Sequence, residues 1–189
     1  MVPLVAASVA CGAAPAQPAG SAGSVRLAED ACRPGELRAL FRGFQSTKGA
    51  LSGAVVVAAS GPRACWVGGA PRDVSLLDDD GGTLSVNVKP QPASPGSETV
   101  MLRPGVPLPT FGAPPSHGSA WLSVTWSNWC SDASPTIGSV LIVLPGGGSI
   151  PAPVDAAAAG WAAGPPSPRC ANPKTGSTLS FGRFQPALG

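Results

Sequence analysis

The chain holds a single histidine, His117, and charged residues make up only 12% of it, with a net charge of +2. One imidazole leaves one candidate base for a Ser-His-Asp or Cys-His nucleophilic site. It stands in "PPSHGSAW", a Pro/Gly/Ser loop entering a strand, and reads as an exposed loop residue. The sparse lysines and arginines form no basic stripe, which speaks against nucleic acid as a partner. No cysteines are spaced C-x-x-C, so zinc lacks its usual close ligand pairs. No apolar run reaches the roughly 18 residues that span a bilayer. Nor do apolar positions recur at helical spacing over several turns. At most, Asp155 caps one turn over Ala156–Ala159 before Gly160 and Pro165 end it. There is no G-x-S-x-G elbow and no glycine-rich phosphate loop; "PGGGS" at 145–149 lacks the following helix and the lysine, and reads as a turn.

What is present is punctuation. Gly 25 and Pro 23 separate short runs of Val, Leu and Ile, the pattern of many short strands and turns. The 189 residues suit one domain. Expected strands are Glu36–Phe41, Leu51–Ala59, Cys65–Val67 and Arg72–Asp78 (broken by Gly68-Gly69-Ala70-Pro71), Thr83–Lys89, Glu98–Arg103, Ser119–Ser127, Gly138–Leu144 and Ser177–Phe184. Leu51–Ala59 is apolar throughout, as in a strand buried on both faces. Thr83–Lys89 alternates, with Leu84, Val86 and Val88 on one face. Ser119–Ser127 alternates too, placing Trp126 in the core and Trp121 on the polar face. The stretch 150–169 reads as a long connection. Seven or eight strands with frequent turns predict an all-β fold, a single antiparallel sandwich over 32–186, with 187–189 as a tail.

The chain opens "MVPLVAASVAC". Apolar and small residues before Cys11 resemble the end of a bacterial lipoprotein signal, in which the cysteine takes the lipid. Ser8 stands where leucine is usual. No basic residue precedes the run, and it is short for an export signal. The expectation is a coding frame that begins further upstream. Residues 12–31 read as an Ala/Gly/Pro/Ser tether, with a root-mean-square reach of about 25 Å as a coil. Four cysteines then remain, Cys32, Cys65, Cys130 and Cys170, enough for two disulfides in three possible pairings. A hairpin of the first two strands brings Cys32 near Cys65. Cys130 follows one late strand and Cys170 precedes the last, so Cys32–Cys65 and Cys130–Cys170 are the preferred pairs.

Taken in order, "CRPGELRALF", "KGALSGAVVVAASGPRACWVGGAPRDVSLLDDDGGTL", "VMLRPG", "WLSVTW", "LIVLP" and "STLSFGRFQP" resemble the actinobacterial "domain of unknown function 4232" family. The likeness covers about Cys32 to Pro186. It departs at Ala59-Ser60, where the family has an asparagine, and at Ala70, where it has an aromatic residue. The resemblance implies an immunoglobulin-like sandwich, export and frequent lipid anchoring, and no reaction.

The remaining candidate chemistry is thin. Asp78, Asp79 and Asp80 lack the alternation and terminal glutamate of a calcium loop, and the Asp80-Gly81 step signals a hairpin turn. The acidic residues mark no glycosidase pair. Trp121, Trp129 and Trp161 are the candidates for a binding face. The expectation is therefore a non-catalytic binding or scaffold module, lipid-anchored at Cys11 outside the membrane, using no cofactor or metal and meeting an envelope or extracellular ligand. The alternatives are an envelope-polymer hydrolase and an accessory domain sensing an extracellular ligand.

Overall fold

Two apolar runs meet across a two-residue turn. Strand β1 (Leu37–Thr47) pairs antiparallel with β2 (Ala50–Ala59), from Leu37 opposite Ala59 to Thr47 opposite Ala50. The computed structural model describes residues 30–92, 99–110, 113–133, 135–154 and 167–188. Among these, the hairpin is followed by β3 (Cys65–Gly68), β4 (Asp73–Leu77), β5 (Asn87–Pro90), β6 (Thr99–Leu102), β7 (Ala120–Ser127), β8 (Ser139–Val143), β9 (Ser149–Pro153), β10 (Thr178–Phe181) and β11 (Gln185–Pro186). A 3-10 turn at Pro34–Glu36 precedes β1. No helix among the described residues is long and apolar enough to cross a membrane.

The fold is all-β and sandwich-like. The main sheet runs β1-β2-β7-β10-β5, with β11 alongside β7 beyond the end of β10. A second sheet runs β4-β8-β9, and β3 and β6 form a ribbon. All three contribute to one core, including Phe41, Val55, Val74, Leu102, Leu122, Trp126, Ile142 and Leu179. The alternation in β7 sends Ala120, Leu122, Val124 and Trp126 inward, each fully buried. β2 is buried on both faces as its sequence predicts, since Val55, Val56, Val57 and Ala58 are all fully buried.

A β-bulge bends the long hairpin. Phe41 pairs with Val55 and Phe44 with Gly53, so Arg42 and Gly43 together face Ala54. Gly43 takes φ 84 there. The bulge directs both Phe41 and Phe44 into the core, where their rings lie 4.7 Å apart, edge to face. Phe44 reaches Trp126 at 5.8 Å, and Trp126 reaches Trp129 at 5.3 Å.

Both disulfides form as expected, Cys32–Cys65 and Cys130–Cys170. They differ in setting. Cys65 is buried in the core, whereas Cys130 and Cys170 are exposed. Paired thiols of this kind belong to an oxidising, extracellular environment.

Four sequence expectations change. Eleven strands among the described residues replace seven or eight, because several are fragments that share a partner, as β10 and β11 share β7. β9 lies within the stretch read as a connection. Its Pro151 and Pro153 are exposed, while Ile150 and Ala152 point into the core. Val154 donates its N–H to Gly138 on the β8 side. By alternation, the two proline nitrogens face away from β8, where no ladder bond is lost. On that side β9 packs beside β1, and just after β9 the chain bridges Phe41 at Val154.

The third change concerns the turn at Asp80-Gly81. It forms, with Asp78 N–H donating to the Gly82 carbonyl and Leu84 N–H to the Leu76 carbonyl. The expected hairpin stops there. β4 pairs with β8, and the chain crosses to run β5 parallel to β10, so the sandwich is not wholly antiparallel. Leu84, Val86 and Val88 keep the predicted alternation and pack on the core after the crossing. Fourth, the domain reaches past its expected ends. Trp66 N–H donates to the Asp30 carbonyl, and Ala187, expected in the tail, is 2% exposed and donates its N–H to Ser119.

Candidate functional site

A groove opens where the β1–β2 turn, the exit of β7 and the segment before β10 converge. Its volume is about 660 Å³, and its lining includes Lys48, Gly49, Asn128, Arg169, Ala171 and Gly176. Each contributor is placed by local chemistry. The turn between Thr47 and Ala50 has Lys48 at φ 51 and Gly49 at φ 85. Positive φ at both central positions is the type I′ geometry whose twist matches the strands it joins. Lys48 is thereby held on the groove's lip, exposed to solvent.

Asn128 builds the opposite wall. It follows β7 directly and adopts φ 61, a conformation asparagine tolerates. Its Nδ2 donates to the carbonyls of Asn172 at 2.9 Å and Thr175 at 2.6 Å. Its Oδ1 accepts the N–H groups of Ala171 at 2.9 Å and Asn172 at 2.8 Å. One side chain thus satisfies both donors and acceptors of the 171–175 loop. The Cys130–Cys170 disulfide ties the same loop to the chain just after β7. Arg169, next to Cys170, is carried to the rim by this frame.

Among the described residues, the lining holds two cations, Lys48 and Arg169, and no carboxylate. Neither cation has an ion pair with another described residue; the ion pair found among them joins Arg63 to Glu36 at 3.0 Å. That pair lies at the opposite end of the β1–β2 hairpin. There Glu36 accepts the Arg33 N–H and the N–H groups of Arg63 Nε and Nη2. The backbone bond from Arg33, and then the Arg63 guanidinium, hold its carboxyl below the usual glutamate range.

Trp121 and Trp129, two of the tryptophans proposed from sequence, do not share a face. Trp121 is half-buried and sits opposite Val56 and Gln185 in the sheet, beside a fully buried Val56. Trp129 packs on the core side against Trp126 and donates its Nε1–H to the Ala133 carbonyl at 3.0 Å. Six strand steps, roughly 20 Å, carry the chain from Trp121 to the end of β7, shortly before Trp129. Trp161 and Cys11 lie outside the described residues.

His117 is exposed, with Nδ1 3.1 Å from the Ala187 carbonyl. A carbonyl only accepts, so Nδ1 carries the proton. The nearby Ser119 hydroxyl donates to the Ser116 carbonyl, away from the imidazole. Asp78 turns its carboxylate on its own loop, accepting the N–H groups of Asp80 and Gly82. Among the described residues, no group of three or more His, Cys, Asp or Glu side chains is placed to hold a metal ion.

The groove went unread in the sequence because it joins three segments separated by tens of residues. Two local signals were there: Lys48-Gly49 between apolar runs, and an asparagine at a strand exit. Comparisons with known protein families, with curated proteins and with solved structures find no match to this chain.

Proposed function

We propose that this chain is a non-catalytic binding module displayed outside a membrane, with the Lys48–Arg169 groove as its ligand site. The observation that carries this reading is the position of the groove. It lies at the Thr47–Ala50 end of the hairpin, while the chain enters the domain at residues 30–32, near the Leu37–Ala59 end. β1 spans eleven residues, so the two ends stand about 33 Å apart. A domain anchored through Cys11 and the 12–31 tether would hold its groove away from the bilayer. The resemblance to the "domain of unknown function 4232" family supports the same compartment and display. His117, bonded to a backbone carbonyl and linked to no described hydroxyl or thiol, supports binding over hydrolysis.

Retention of envelope polysaccharide and peptidoglycan fragments on the immobilised chain tests the reading. Ala171→Trp fills the groove from an exposed position and should abolish retention, while Trp121→Ala should leave it intact. Retention lost with Trp121→Ala but kept with Ala171→Trp moves the site to the other face and overturns the proposal. Anchoring is tested separately: Cys11→Ser should move the protein from the detergent phase to the aqueous phase.

A further inference from the structure

The lysine at the groove's lip has no structural reason to be a lysine. The first central position of a type I′ turn favours Asn, Asp or Gly, which adopt the left-handed backbone readily. Lys48 takes φ 51 all the same. Its side chain is exposed and makes no hydrogen bond or ion pair with another described residue. What this residue supplies, and asparagine would not, is a positive charge. Backbone strain held at a ligand-facing position is a recurring feature of binding sites.

The second cation is independently placed. Arg169 owes its position to its neighbours, the Cys130–Cys170 disulfide and the Asn128 bonds to Ala171 and Asn172. A rim fixed before the ligand arrives lowers the ordering cost of binding. Arginine and lysine together offer a planar fork and a compact point charge, both suited to oxygen anions. No carboxylate among the described lining residues competes for them. The volume of about 660 Å³ falls within the range of small-ligand sites.

We infer that the groove binds an oxyanion, a carboxylate or a phosphate group, through Lys48 and Arg169. The inference rests on the reading of the groove as a ligand site and names its ligand class. The groove is partly open to solvent, so the anionic group can belong to a small molecule or to a longer polymer.

The test uses the full chain, labelled for amide NMR, with inorganic pyrophosphate and triglutamate as the two anions and a neutral trisaccharide as the control. Either anion should shift the amides of Gly49, Ala171, Asn172 and Gly176, with affinity falling as salt rises. Lys48→Asn combined with Arg169→Gln should weaken that binding at least tenfold. Both residues are exposed, and asparagine suits the turn, so an unchanged amide spectrum elsewhere confirms the fold. A response to one anion alone supports the inference and identifies its source. Shifts that persist undiminished in the double variant overturn it, as does silence from both anions. Groove shifts from the neutral trisaccharide alone overturn the anion assignment and leave the binding module standing. Failure of the Ala171→Trp retention experiment removes the site itself.

Discussion

Single residues in this molecule are placed by conformational need in some cases and against it in others. Asn128 takes a left-handed backbone that suits it and spends its amide on the neighbouring loop. Lys48 takes the same backbone region without suiting it. The conformation costs a long-chain L-residue roughly 1 kcal/mol, most of which asparagine avoids. Lys48→Asn is therefore expected to raise the unfolding free energy by up to ~1 kcal/mol in urea titration, while removing a groove charge. Glu36 gives a pH prediction. Its folded-state pKa is depressed, so its contribution to stability is present above the unfolded value of about 4.3 and is lost as pH falls through the folded one. Glu36→Gln should flatten the stability profile below about pH 4.3 and leave its shape at neutral pH unchanged. A wild-type acid limb identical to that of the variant would contradict this. The sequence shows both residues but not their roles, since those arise from a turn type and a partner 27 positions away.

At the scale of elements, legibility followed alternation. β7 was readable because its even positions are Ala120, Leu122, Val124 and Trp126 and its odd positions are polar or amphipathic. β9 was not, because Pro151 and Pro153 are the usual marks of a connection, and only the direction of their nitrogens reconciles them with a strand. β5 was readable as an alternating segment, but its partner was not. Nothing local distinguishes an antiparallel neighbour about ten residues upstream from a parallel one about ninety residues downstream. The bulge in β1 makes a sharper demand. A Cβ on Gly53 would fall 2.5 Å from the Gly43 carbonyl oxygen and 2.7 Å from the Phe41 ring. Backbone cannot move aside as a side chain can. Gly53→Ala should destabilise the domain by roughly 1–3 kcal/mol, read as a lower denaturant midpoint, even though alanine suits strands better than glycine. A neutral result would show that the bulge can relax.

For the whole molecule, the two disulfides close loops of similar length, with separations of 33 and 40 residues. Chain entropy alone would make them nearly equal in effect, each about 2–4 kcal/mol. Burial separates them. Removing Cys32–Cys65 also disturbs the core around Cys65, which is 2% exposed. The Cys32→Ala/Cys65→Ala pair should thus lose more stability than Cys130→Ala/Cys170→Ala. Limited reduction followed by alkylation and mass spectrometry should label Cys130 and Cys170 first. Equal labelling of all four would show that exposure does not govern their reactivity. The same treatment should loosen the groove, since Cys170 adjoins Arg169.

Cys32–Cys65 also decides how the domain responds to tension. A pull applied at residue 30 enters beside β3, where Asp30 and Cys32 bond to Trp66, and the covalent link at Cys32 passes part of it to Cys65. Load arriving on one strand end is divided between β1 and β3. β1 is held along its length by its ladder to β2, which must shear as a whole, whereas β3 has a four-residue ladder to β6. With the crosslink intact, the short ribbon cannot peel away alone when residue 30 is pulled.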